Sequence, residues 1–309
     1  MYLTDLELAQ MCFIKKGVIV MLGKKTKIIT ALVLAAILVM APGTVLQAEE
    51  AQDAPVKGIY ELEEGKKYSY DLDGDGVKEN LSYELKGNHY RIYINGETVQ
   101  NIKMNEDSYG PKLQIADLDK DVPGLDLWAY CYASSDDILY SGLYRYKNQD
   151  LQEVFRLNYE KVSKNFYVRA GYLSKTDGNG NFSIAMDRVF DADTLVGNYY
   201  VNIPYQLRNG KVYRVAANNY TFATLHSRDS KLKAGKFKAA KKIKFYAKPS
   251  TKSKVAFILK KGKVVRAEKI YFKKGVTYVK FRTGSGKAGY LKGGNSYNNI
   301  PFTNVLLAD

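Results

Sequence analysis

A chain of 309 residues with 46% hydrophobic side chains can bury two modest cores, which excludes a disordered or low-complexity protein. Its formal charge of +15 is unevenly placed: residues 231 to 309 carry 21 Lys plus Arg against Glu268 and Asp309, a net of +19, whereas residues 49 to 230 carry 21 basic and 28 acidic side chains, a net of −7. Two cysteines, Cys12 and Cys131, exclude a disulfide-stapled scaffold, and neither histidine, His89 or His226, accompanies a nucleophile elbow, a metal-ligand helix or a Gly-rich phosphate loop.

Residues 1 to 20 fit no targeting segment, and Met21 stands where the basic start of one belongs. The reading frame is therefore expected to begin at Met21, the alternative being a genuine cytoplasmic leader. Residues 21 to 48 present Lys24, Lys25 and Lys27, then the apolar run Ile28 to Leu46, then Gln47-Ala48, the pattern of a secretory signal peptide cleaved near Ala48. Pro42-Gly43 fits a cleavage region; an uncleaved membrane anchor is the rival, because the run is near spanning length. Export would leave Cys131 as the one thiol. Set between Tyr130 and Tyr132, it reads as a small buried strand residue, with nothing nearby to act as a base.

Residues 49 to 228 form an acidic body in which tyrosines and β-branched residues alternate in short runs punctuated by Gly, Asn and Asp, predicting an almost wholly β structure. Strands are predicted at Tyr68 to Tyr70 and Leu81 to Leu85. Between them, Asp71, Asp73, Asp75 and Glu79 occupy loop positions 1, 3, 5 and 9, with Gly76 at 6 and the Val77 carbonyl at 7. That spacing wraps oxygen ligands round a calcium ion. A second acidic loop places Asp117, Asp119, Asp121 and Asp126 in a related pattern, and a third, Asp177-Gly178-Asn179-Gly180-Asn181, has fewer ligands. The competing reading is that Asp and Gly gather in turns because they favour turn geometry. An EF-hand is excluded, because the flanks are strand-like and Ser82 stands where a bidentate carboxylate belongs.

The hairpin Tyr90 to Ile94, Asn95-Gly96, Glu97 to Val99 returns around Asn148-Gln149 and again around Asn209-Gly210. Loop starts at 71, 117 and 177 and turns at 95, 148 and 209 predict three imperfect units of propeller-blade size, too few to close a ring. The strings Tyr70-Asp71-Leu72-Asp73-Gly74-Asp75-Gly76 and Ile115-Ala116-Asp117-Leu118-Asp119-Lys120-Asp121 resemble FG-GAP or VCBS-type repeats of secreted and surface proteins. The resemblance implies that Asp71, Asp73, Asp75, Val77 and Glu79 hold Ca2+ between adjacent strands. The second loop departs from the pattern, with Val122 in place of the glycine and an extra residue before Asp126.

After a lysine-rich linker, residues 229 to 235, five brief strands are predicted at Lys242 to Tyr246, Val255 to Leu259, Lys263 to Lys269, Thr277 to Arg282 and Lys287 to Leu291, the content of a small barrel. The strings Phe245 to Val255, Leu259 to Val265 and Gly286 to Tyr290 resemble a bacterial SH3-like domain over residues 236 to 293. The resemblance implies targeting to the cell wall or a surface polymer. Tyr278 and Tyr290 stand where that family usually carries tryptophans. A domain this small with such a charge excess attracts polyanions, the alternative being a solvated lysine-rich face that only aids solubility. The candidate polymer-binding residues are Tyr246, Lys248, Lys252, Lys254, Tyr278, Lys280 and Tyr290. The tail, residues 294 to 309, ends in the apolar stretch Pro301 to Leu307 and is expected to dock back as a strand.

The whole reads as a non-catalytic, exported cell-envelope protein of Gram-positive type. Its calcium-braced body would face an unknown partner, a protein among the candidates, while the basic module binds a cell-wall polymer or anionic glycopolymer. Nucleic acid is set aside because an exported protein seldom meets it. The alternative is an accessory or inactive relative of a cell-wall hydrolase.

Overall fold

The computed structural model describes residues 58–106, 108–133, 138–226, 228, 231–294 and 297–307; the expected start at Met21 and the signal peptide lie outside them. The described residues belong to one compact unit, Glu49–Asp309. They are nearly all β, in several antiparallel sheets, with one four-residue helix, α1 (Asp193–Val196). Among them, no helix is long and apolar enough to cross a membrane.

In chain order the body contains β1 (Ile59–Glu61), β2 (Tyr68–Tyr70), β3 (Glu79–Lys86), β4 (His89–Ile94), β5 (Glu97–Lys103), β6 (Ser108–Ala116), β7 (Asp126–Ala133), β8 (Ile138–Lys147), β9 (Asp150–Arg156), β10 (Glu160–Ser163), β11 (Phe166–Val168), β12 (Gly171–Thr176), β13 (Asn181–Asp187), β14 (Tyr199–Arg208), β15 (Lys211–Arg214) and β16 (Asn219–Leu225). Three four-stranded antiparallel meanders emerge, β2–β5, β6–β9 and β12–β15, and β1 extends the second along β6. Each acidic or Gly/Asn loop joins the first and second strands of its meander. Each tight turn joins the third and fourth. At those turns Asn95 and Gly96, Asn148 and Gln149, and Asn209 and Gly210 all have positive φ, as two-residue hairpins whose twist matches their strands require. The three units are open sheets, with no ring closed.

The middle meander is covered on both faces. Along β7, Leu127, Ala129 and Cys131 pack with Leu81, Tyr90 and Ile92 of the first meander, while Trp128 and Tyr130 point the other way, toward Leu173, Ile184 and Val201 of the third. Alternate residues of one strand thus serve two cores, so β7 reads as a continuous apolar run rather than an alternating one. Cys131 is fully buried and in no disulfide, its thiol donates to the Tyr109 carbonyl (3.2 Å), and burial pushes its pKa up to about 11, leaving it protonated.

The basic region contributes β17 (Lys236–Lys238), β18 (Ile243–Tyr246), β19 (Val255–Leu259), β20 (Val264–Lys273), β21 (Val276–Thr283) and β22 (Ala288–Lys292). They are ordered β17-β20-β21-β22-β18-β19, and Phe237, Phe245, Phe257, Phe281 and Phe302 converge between them. The small barrel expected here is not closed. One side of β20 is divided between two short partners, β17 at Val264–Arg266 and β16 at Lys269–Tyr271, and β16 then pairs with β14 through Phe222 to Leu225. The sheet therefore runs without a break from the third meander into the basic region, past the segment read as a linker. Phe272 of β20 packs on Phe166 and Phe190 of the acidic body, so the two compositions share one core. A charge boundary reports on what faces water; it places no boundary in the packing beneath.

The tail docks beside β17 through backbone and side chain together, the Thr303 N–H donating to the Lys238 carbonyl (2.9 Å) and the Ala240 N–H to the Pro301 carbonyl (2.8 Å). Phe302 bridges Ala239, and Asn304 accepts from the Lys238 N–H (2.9 Å) and donates to the Lys236 carbonyl (2.9 Å).

Candidate functional site

The first acidic loop is folded by its own carboxylates. Asp71 accepts from the Gly74 N–H (2.8 Å) and the Gly76 N–H (3.0 Å), Asp75 accepts from Val77 (2.7 Å), and Glu79 accepts from Leu72 (2.8 Å). Gly74 and Gly76, at φ +78° and +88°, supply the left-handed backbone that this winding needs. The result gathers Asp71, Asp73 and Glu79, with a carboxylate oxygen from each within 4.8 Å of the others. Asp75 is exposed and outside that group; Val77, whose side chain is in solvent, is expected to contribute only its backbone carbonyl. Glu79 is buried and held above the usual carboxylate range, first by desolvation and then by the charges of Asp73 and Asp75, against the opposing pull of the Leu72 N–H. Three carboxyl groups at this separation cost free energy unless a cation or protons offset their repulsion.

The second loop resolves the same problem differently. Asp126 begins β7 as Glu79 begins β3, and it likewise accepts from the N–H at loop position 2, that of Leu118 (3.3 Å). Its carboxylate, however, is gripped by Arg145 of β8 through two hydrogen bonds of 2.9 and 3.2 Å. Asp126, expected as a metal ligand, forms an ion pair with Arg145. Asp117, Asp119 and Asp121 remain in the loop, but their carboxylates do not gather into a ligand group among the described residues. In the third loop Asp177 is satisfied by the N–H groups of Asn179 and Asn181 and the Asn181 side chain, which hold its carboxyl below the usual range.

The three loops also hold one another. The Leu72 carbonyl accepts from Leu125 of the second loop (2.9 Å), and the Leu118 carbonyl accepts from Gly180 of the third (2.7 Å). These acceptors are equivalent residues of successive units, so the loops form a stacked series that sets the spacing of the meanders. Gly124 lies so close to the first loop that an added Cβ would stand 2.5 Å from the Leu72 carbonyl oxygen.

On the basic region, Tyr246 lies opposite Tyr290, Tyr290 opposite Lys280, and Lys280 opposite Lys269, so these four side chains form a transverse row on one face of β18, β22, β21 and β20. Lys248, Lys252 and Lys254 are exposed on the turn between β18 and β19. Tyr278 is buried and not offered to a ligand. Its neighbour Lys280 contacts Glu268 at 3.3 Å, and Glu268 is also held by Arg282 and Arg266. Arg282 above all keeps the Glu268 carboxyl ionised and below its usual range. One of the two acids of the region is thereby neutralised three times over.

None of these side chains forms a nucleophile–base pair. Sequence reading did not bring forward a cleft between the second and third meanders, because its walls come from strands far apart in the chain. The available signal was the recurrence of tyrosine at every second position, as in Tyr130 and Tyr132. No protein-family model matches the chain, and neither a curated protein nor a solved structure matches it.

Proposed function

We propose that the protein is an exported, non-catalytic binder of the cell envelope, whose SH3-like basic region attaches to an anionic wall polymer and whose repeated β body is braced by calcium. The observation that carries this reading is the concentration of 21 cations against two acids in residues 231 to 309, with Glu268 enclosed by Arg266, Lys280 and Arg282. A cationic face of this density raises the local concentration of polyanions, and its attraction is screened by salt. Tyr246 and Tyr290, in line with Lys280 and Lys269, add flat apolar surface beside the charge.

The calcium reading rests on Asp71, Asp73 and Glu79. A hard cation prefers carboxylate oxygen, and three converging carboxylates with no arginine among them fit such an ion, with Asp75 and the Val77 carbonyl as the remaining candidates. The reading favours the first loop, because in the second Arg145 already offsets Asp126 and no such carboxylate group forms among the described residues.

The test is co-sedimentation of residues 49 to 309 with purified walls, with and without teichoic acid, over a salt series. The unit is kept whole because β16 and β20 share backbone bonds. Binding should fall with salt, with removal of the polymer, and in the triple variant Lys248→Gln, Lys252→Gln, Lys254→Gln. Binding indifferent to all three would sink the proposal, and release of soluble wall fragments would replace it with a hydrolase. Calorimetry with calcium on the parent and on Asp73→Ala tests the loop, where absence of heat in the parent leaves only a turn.

A further inference from the structure

Between β1, β6 and β7 on one side and β12, β14 and β16 on the other lies a cleft of about 1340 Å3, the scale of a site for an oligomeric ligand rather than of a packing defect. Five tyrosine rings run across it in unbroken contact. Tyr109 meets Tyr132 at 6.3 Å between centroids, Tyr132 meets Tyr130 at 5.6 Å, Tyr130 meets Tyr172 at 6.0 Å, and Tyr172 meets Tyr200 at 5.6 Å. The row crosses from one meander to the next. Strand alternation accounts for it: Tyr199 is fully buried, with its hydroxyl bonded to the Phe190 carbonyl, so Tyr200 must face the other way, into the cleft. Tyr109 is 42% exposed, and Tyr132, Tyr172 and Tyr200 are each partly exposed, so this is not a closed core.

Planar polar groups stand beside the rings. Glu61 accepts from the Tyr130 hydroxyl (2.7 Å) and pairs with Lys112 (3.1 Å), and Asp187 pairs with Arg188 (2.7 Å). Each carboxylate is paired with a cation that fixes its position, an arrangement suited to accepting hydrogen bonds from a ligand. The amide oxygen of Asn198, on the cleft lining, is buried and accepts no hydrogen bond from the described residues. A buried acceptor left open in this way calls for a donor from outside the protein.

Half-exposed aromatic faces flanked by fixed planar acceptors and donors match one chemistry above others. A pyranose ring offers apolar C–H faces to stack and a rim of hydroxyls that both donate and accept. A peptide adding as a strand would need the free edge of β12, but the Gln114 side chain already occupies both the N–H and the carbonyl of Leu173 there. A polyanion would find little net attraction, because Glu61 and Asp187 offset two of the three cations Lys112, Lys175 and Arg188 on the lining. We infer that this cleft binds an oligosaccharide, with sugar rings on Tyr109, Tyr132, Tyr172 and Tyr200 and hydroxyls on the Glu61–Lys112 and Asp187–Arg188 pairs and on Asn198.

The site is separate from the basic face, and uncharged sugars are insensitive to salt, so the two proposals fail separately. Residues 49 to 309 are titrated with soluble hexamers of β-1,4-linked glucose, of β-1,4-linked N-acetylglucosamine and of β-1,4-linked mannose, all uncharged, at low and high salt. At least one hexamer should bind with little salt dependence. Tyr172→Ala and Tyr200→Ala should each weaken it about tenfold or more, with Tyr200→Phe, which keeps the ring, weakening it less than Tyr200→Ala, while Tyr213→Ala, which lies outside the cleft, should leave it unchanged. Saturation-transfer NMR on the unsubstituted chain should pass magnetisation from aromatic protons to sugar C–H protons, a readout independent of whether any variant folds. The inference is overturned if none of the three binds, if binding disappears at high salt, if natively melting tyrosine variants bind as the parent does, or if a peptide library fills the cleft where sugars do not.

Discussion

The side chain of Gln114 on β6 accepts a hydrogen bond from the Leu173 N–H (2.9 Å) and donates one to the Leu173 carbonyl (3.2 Å), so a single amide serves both backbone groups of one residue on the edge strand of another sheet. Trp128, directly opposite Gln114 on the neighbouring strand β7, donates from its indole N–H to the Gly171 carbonyl at 2.9 Å. Together they fix the second meander against the third. Replacing Gln114 by Leu keeps the volume and leaves two buried backbone groups without partners. The expected loss is about 2–4 kcal/mol of unfolding free energy, read by denaturant titration. A change below about 0.5 kcal/mol would mean that water or a shifted strand takes over.

Gly124 supplies a second test, of the stacked loops. Gly124→Ala should destabilise far more than Gly96→Ala. Both positions have positive φ, but a Cβ at 96 meets open space, whereas at 124 it collides with the Leu72 carbonyl. About 1 kcal/mol is expected at 96 from backbone strain alone, and about 3 kcal/mol or more at 124. Equal losses would show that the loops separate readily.

The acidic loop has a pH signature with a definite sign. In the calcium-free protein, burial and the charges of Asp73 and Asp75 raise the folded pKa of Glu79 above its unfolded value. Its contribution to stability is therefore complete below the usual carboxylate range and is lost as pH rises through the raised value. Bound calcium would reverse the sign, because such an ion binds the ionised form and acid would displace it. Thermal melts should show Glu79→Gln melting higher than the parent in chelator at neutral pH and lower in calcium, with calcium affinity down about tenfold or more. A variant that melts lower in both conditions would count against the ion.

Much of this architecture was legible in one dimension. The strands expected at Val255 to Leu259 and around Lys242 to Tyr246 lie within a residue of where they form, because short apolar alternations bounded by Gly, Pro and Ser leave little freedom of register. Asn95-Gly96 and Asn209-Gly210 announced their turns by chemistry. The pairing of Tyr220 with Ile270 was not legible, since backbone hydrogen bonds across 50 residues of chain leave no pattern in either strand. Nor was the fate of Asp126: only the register that sets it opposite Arg145 distinguishes an ion pair from a metal ligand.

That pairing makes a prediction about cooperativity. Because β16 joins β14 to β20 within one continuous sheet, and Phe272 packs on Phe166 and Phe190, residues 49 to 309 should unfold in one calorimetric transition. An isolated fragment of residues 232 to 309 should melt well below it. Two separated transitions in the longer chain would instead restore an autonomous basic domain.

Asn304 carries a consequence for how the protein is kept solitary at high concentration. Its carboxamide meets the Lys238 N–H and the Lys236 carbonyl much as a neighbouring strand would, and so closes an edge that could otherwise template the strand of a second molecule. A chain nicked just before Pro301 would lose that seal together with Phe302. Its first visible defect would be self-association through β17, detectable by light scattering before any loss of β content.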